Sequence, residues 1–285
     1  PDAARRATVQ APENKAQTVL SPTHPLWLVG FRPFFTLACL AGLSLPVAWI
    51  LIFKGVLPAP TQRFSPVQWH AHEMFFGFGW AVLGGFLLTA SKNWVGVRGY
   101  HGGTLMFLAA AWIFERIGMS FGAGWPASLF LFSNNLFLCS IVVLLLATLI
   151  RHRGTDSYRR DNIFFLIILP LFWIAKTLLL QPEHFHLGWS MTLGLFRVAF
   201  LVMFERTLSQ FMRSAFAVEI LRQPALDTAI KVLAAVLVFG ALLPAPLLVG
   251  LELLLAFLLL GRLAFWHPFK AFTRLDIGIM FIGYL

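Results

Sequence analysis

The chain has 285 residues, of which 59% are hydrophobic and 12% charged, with a formal net charge of +10 and a mean hydropathy of +0.78. A soluble domain carries about 25% charged residues and about 45–50% apolar ones, so an ordinary cytosolic enzyme, a disordered protein and a nucleic-acid-binding domain are excluded. The basic residues sit in short loops between apolar runs, the charge distribution of a polytopic membrane protein.

Pro1 to Gln17 is polar, carries Arg5, Arg6 and Lys15 and lacks an apolar stretch. It is not a secretory signal peptide. Residues 1–30 read as a tail on the cytoplasmic side, and residues 31–285 as a transmembrane helical domain. Apolar runs long enough to span a bilayer, about 20 residues each, lie near 33–53, 69–90, 103–120, 127–150, 162–181, 187–208, 228–248 and 250–267. A ninth run opens at Asp276 and stops at Leu285, as if the domain were cut before its C-terminal helices. The expected fold is therefore an all-α polytopic membrane protein, a bundle of eight complete transmembrane helices and the start of a ninth.

Lys and Arg in short loops set the orientation. Arg5, Arg6, Lys15 and Arg32 precede the first run. Lys92 and Arg98 follow the second, and Arg151, Arg153, Arg159 and Arg160 the fourth. Arg213 and Arg222 follow the sixth, Lys270 and Arg274 the eighth. All fall on one side if the N-terminus is cytoplasmic. The opposite side has only Lys54 and Arg63.

Ionisable residues within spans are costly and mark functional sites. With this orientation His70, His72, Glu73, Glu115, Arg116, Asn134, Asn135, Lys176 and Glu252 lie in outer halves. His184 and His186 lie in an outer loop, Arg197 is nearer the middle, and the cytoplasmic halves are poorer in such groups. A polar site at or beneath the outer face follows, with Lys176 expected to snorkel to the interface. Cys39 and Cys139 read as small buried hydrophobes.

The densest motif is Trp69-His70-Ala71-His72-Glu73-Met74. His, Glu and Met are all metal donors. On a helix His70 shares a face with Glu73 and Met74, a candidate copper set, while His72 faces elsewhere. One histidine then ligates directly and the other orients a ligand or serves a second ion. His72, the deeper of the two, is the preferred direct ligand. His184-Leu187 carries the same two-apart spacing in His184 and His186, which complete the candidate metal donors. Gly77, Gly79, Gly84 and Gly85 offer small surfaces for close helix approach.

Three blocks resemble the NnrS family: Gly30-Phe31-Arg32-Pro33-Phe34-Phe35; Trp69 to Met74 with Phe76-Gly77; and Gly85-Phe86-Leu87-Leu88-Thr89-Ala90 with Asn93-Trp94 and Gly96. Weaker agreement continues through Arg116, Arg159-Arg160, Asn162, Arg206-Thr207-Leu208 and Gly283-Tyr284. The resemblance implies a bacterial inner-membrane protein of about twelve helices that contains haem and copper and is associated with denitrification and resistance to nitric oxide. It implies His70 and His72 as haem or metal ligands and Arg116 and Arg206 as cofactor-binding positions. The sequence departs from the family at Glu205, where glycine is usual, and at Phe281, where histidine is expected. Two other readings stay open on the residues alone. One is a cofactor-free transporter with a polar path through Glu115, Arg116, Asn134 and Arg197. The other is a structural subunit of a larger membrane complex, with membrane-protein partners.

Overall fold

Among the described residues eight helices are long and apolar enough to cross a membrane, in the order the hydropathy pattern sets. In the computed structural model, which describes residues 18–58, 63–221 and 223–284, they are α1 (Phe31–Phe53), α2 (Pro66–Val95), α3 (Gly103–Phe121), α4 (Ala127–Arg151), α5 (Asn162–Leu179), α6 (Phe185–Phe216), α7 (Pro224–Leu242) and α8 (Ala245–Ala264). A shorter apolar helix, α9 (Leu275–Tyr284), follows. Four basic residues behind the charge asymmetry, Arg5, Arg6, Lys15 and Arg222, lie outside the described residues.

Two boundaries differ from the hydropathy reading for identifiable reasons. The second span starts at Pro66 because Ser65 and Gln68 form a capping box: the Ser65 side chain accepts from the Gln68 backbone and the Gln68 side chain accepts from the Ser65 N–H. Two of the helix's free N–H groups are satisfied this way. The seventh and eighth spans divide near Pro244, about five residues earlier than expected. α7 tightens into a 3-10 turn over Leu237–Leu242, and Pro246 stands in the first turn of α8, where a missing N–H costs nothing.

The spans pack mostly as neighbours in sequence. α1 lies on α2, α3 on α4, α5 on α6 and α6 on α7, while α2 reaches α4 and α4 reaches α5. Aromatic rings fill the seams. Trp80 of α2 meets Phe172 of α5 edge-on at 5.0 Å, Phe172 meets Phe196 of α6 at 5.0 Å, and Phe34 of α1 stacks on Phe137 of α4 at 5.7 Å. Large apolar side chains such as Leu43, Phe53, Leu253 and Phe257 face outward. That is the surface a helix needs when its solvent is lipid. Cys39 and Cys139 belong to this outer surface and are both exposed, contrary to the buried role expected from their apolar surroundings. A run that is apolar all round carries no sign of which face looks inward.

From residue 18 the approach to α1 is folded onto the bundle. Trp27 donates to the Val19 carbonyl at 2.6 Å, and the Gly102 N–H donates to the Trp27 carbonyl at 2.7 Å.

α2 is not a uniform helix. Glu73–Gly79 is wound as a π-helix between α-helical segments Pro66–His72 and Trp80–Val95. Such widened turns occur mostly at functional sites. This one starts on the residue after the second histidine of the motif.

Candidate functional site

His70 and His72 point to different places, as helical geometry requires: residues two apart face about 200° from each other. The His70 ring stacks on Trp49 of α1 at 4.3 Å with an interplanar angle of 15°. Its Nδ1 is buried without a hydrogen-bond partner. With Val67, Met74, Phe75 and Trp189, it lines an apolar cavity of about 440 Å³ that His186 also lines from the first turn of α6. Helical spacing thus brings His70 and Met74 to one wall, and the α5–α6 turn brings His186 to the other. His184 sits exposed in that turn, outside the cavity lining.

His72 faces the bundle interior and has no exposure. Its Nδ1 is 3.1 Å from Glu73 Oε1; its Nε2 is 3.2 Å from Asn134 Nδ2 and 3.3 Å from Glu115 Oε1. With Nδ1–H donating to Glu73, Nε2 accepts from the Asn134 amide, so both ring nitrogens are engaged within the chain. The donor set proposed from spacing therefore splits. Met74 stays with His70, but the Glu73 carboxylate turns to His72 and Arg116. An acidic group beneath the surface goes where its counter-charge is.

Arg116 finds that counter-charge within the protein. Its Nη1 is 3.2 Å from Glu73 Oε2, and its Nη2 is 3.0 Å from Glu115 Oε1. Its cation lies 5.4 Å from the Trp112 ring centroid. Lys176, expected to snorkel, is instead 1% exposed and donates to Glu115 Oε1 and to the Asn134 carbonyl. It lies 5.4 Å from the Phe76 ring centroid. The network joins α2, α3, α4 and α5 through two carboxylates, two fixed cations, one imidazole and one amide. Gly77 makes room for it: a β-carbon there would collide with Arg116 Nη1. The Gly77 carbonyl accepts from Trp112 Nε1 at 2.9 Å. Asn135 stands apart, accepting from Trp173, and Arg197 forms no bond into this network.

The other end of the bundle is not poor in buried charge. Glu205, Arg206, Asp227, Lys231 and Arg262 are each 5% exposed or less. Lys231 Nζ is 2.8 Å from Asp161 and 3.0 Å from Glu205, and Arg262 Nη1 is 3.7 Å from Asp227. Arg262 Nε also donates to the Tyr284 hydroxyl at 2.9 Å, tying α8 to α9. Lys231 and Arg262 are ionisable residues inside apolar runs, so the rule that singled out Arg116 finds them too. Arg206 packs against Trp94, near the end of α2, at 4.4 Å. Glu73 and Trp94 share that helix, which at about 1.5 Å per residue sets the two ends on the order of 30 Å apart. Arg116 and Arg206 thus belong to separate sites.

Among the described residues no group of three or more His, Cys, Asp or Glu side chains is placed to hold a metal. The His70 cavity offers two histidines and a thioether, a softer set that would hold copper or haem iron. The donors' chemistry and the orphaned His70 Nδ1 fit those groups.

The sequence of the NnrS protein family matches this chain from residue 25 to residue 285, covering α1 to α9. The chain belongs to the NnrS family. No curated protein and no solved structure matches it. In this NnrS protein the Trp69–Met74 motif therefore stands on the helix that supplies both the cavity wall and the ionic network.

Proposed function

We propose that this multi-pass membrane protein binds haem and copper and acts in nitric oxide metabolism or in resistance to it. One observation carries the reading. His70, Met74 and His186 line one apolar cavity, and the His70 ring has a buried Nδ1 without a partner. A bound haem iron or copper supplies one-electron chemistry and a coordination position for a neutral diatomic.

The chain's own residues do the rest. Trp49 holds the His70 ring flat against α1, which fixes the ring before any ligand arrives. His72 stands behind the donor helix and, through Glu73, anchors the residue between the two donors His70 and Met74. This favours His70, not His72, as the direct donor and gives His72 a positioning role. The test is a visible absorption spectrum with metal analysis on the purified protein. A haem band with bound copper is the expected result. A colourless, metal-free protein from cells supplied with both would sink the reading in favour of a cofactor-free transporter.

The same proposal places the N-terminus in the cytoplasm and the His70 cavity near the outer face of a bacterial inner membrane, on the strength of the Lys/Arg asymmetry. Single cysteines would be introduced with Cys39 and Cys139 replaced by Ser. Reagent added outside intact spheroplasts should label positions in 54–68 and 182–186 and spare 151–161. Labelling of 151–161 with protection of 182–186 would invert the orientation.

A further inference from the structure

At the end of the bundle away from the His70 cavity, Arg206 is 4% exposed, and no carboxylate among the described residues lies within ion-pair distance of it. The carboxylates around it are engaged elsewhere: Asp161 and Glu205 with Lys231, and Asp156 with Asn162. The Trp94 and Tyr158 rings lie beside its guanidinium, with centroids 4.4 and 4.3 Å from Cζ. Nη1 donates to Asn162 Oδ1 at 2.8 Å. Asn162 is held in turn, its amide donating to both oxygens of Asp156 at 2.9 and 2.8 Å. One corner of the guanidinium is therefore fixed. Nε and Nη2 have no partner although both are buried. They form the edge with which arginine takes a planar or tetrahedral oxyanion bidentately.

Arg206 lines a cavity of about 570 Å³, with Asn93 and Gln210 as further polar groups and Phe31 and Phe35 as apolar wall. Phe35, Phe86, Met203 and Thr207 also line a second, almost wholly apolar cleft of about 210 Å³. That cleft continues along α2 to Val82 and Leu83 and along α6 to Phe200. A charged head site thus opens into an apolar channel between α1, α2 and α6.

We propose that this is a binding site for an anionic phospholipid, with its phosphate on the Nε–Nη2 edge of Arg206 and one acyl chain in the Val82–Phe200 cleft. Two buried donors without an acceptor are expensive, and an oxyanion there supplies the acceptor for both. Its apolar chain fits the cleft that a free ion leaves empty. The site is separate from the His70 cavity and independent of any cofactor there.

The test uses the full chain purified in detergent, with three probes: phosphatidylglycerol, diacylglycerol with the same tails, and inorganic phosphate. Phosphatidylglycerol should be retained in native mass spectrometry and should raise the unfolding temperature; the other two should do neither. Arg206→Gln should weaken retention by about ten- to a hundredfold, the range for a lost charged hydrogen-bonding pair. Should that variant not fold, Val82→Trp fills the cleft at a partly exposed position, leaves Arg206 in place, and should lose retention likewise. Equal stabilisation by inorganic phosphate would overturn the lipid in favour of a free anion. Equal retention of diacylglycerol would overturn the role of Arg206. Lipid retention unchanged in both variants would also overturn the proposal, as would loss of a haem band in Arg206→Gln with lipid retention intact.

Discussion

His70→Ala is expected to remove the cofactor signal completely, whereas His72→Ala is expected to leave a weakened one. His70 carries a buried, unpartnered ring nitrogen beside a cavity that Met74 and His186 also line, so its loss takes away the donor itself. His72 has both ring nitrogens committed to Glu73 and Asn134 and acts on the site only through the helix they share. Replacing a residue that orients a ligand costs about 10–100-fold in affinity. Absorbance and bound metal, titrated in the two purified variants, separate the outcomes. Full haem and copper in His70→Ala with loss in His72→Ala would transfer the ligand role to His72. Full retention in both would remove the cavity from consideration.

The second large effect is on stability. Lys176→Met should destabilise the protein by about 3–5 kcal/mol, the usual cost of stranding a buried charge. In the native network Glu73 and Glu115 are balanced by Arg116 and Lys176. Removing the lysine leaves two carboxylates facing one cation, and Glu115 has no exposure through which to recruit water. Lys176→Met combined with Glu115→Gln restores neutrality and should recover part of the loss, a coupling that a double-mutant cycle measures. Unfolding of the purified variants in detergent is the readout. Strict additivity of the two single changes would mean that the pair does not couple.

The spans were legible in the sequence because lipid demands a long apolar run from each helix, whatever the neighbouring helices do. The split between His70 and His72 followed from two residues on one helix. The separation of Glu73 from His70 did not. Helical spacing puts Glu73 within reach of either side, and its choice depends on Arg116, which arrives from α3. The burial of Lys176 is hidden in the sequence for the same reason. Snorkelling is the default for a lysine near a span end, and only the fold brings Glu115 of α3 and the Asn134 carbonyl of α4 to it. Lys231 and Arg262 are legible as charges within apolar runs, but their partners Glu205, Asp161 and Asp227 come from other parts of the chain. The empty edge of Arg206 was not legible at all, since it depends on Trp94 and on the Tyr158–Asn162 turn, two parts of the chain remote in sequence from each other and from Arg206.

The π-helical stretch Glu73–Gly79 sets the phase between the two halves of α2. A turn closed by an i→i+5 bond holds one residue more than an α-turn, and each residue on an α-helix turns the chain by about 100°. Read outward from Trp80, the motif histidines therefore stand about a quarter-turn from where an unbroken α-helix would put them. The lower half can keep its Trp80 and Trp94 faces packed on α5 while the upper half is aimed independently at the cavity and the ionic network. One chain segment thereby serves as both structural keel and adjustable mount. Deleting Phe78 alone would misdirect His70 and His72 together, without removing a residue that touches either site.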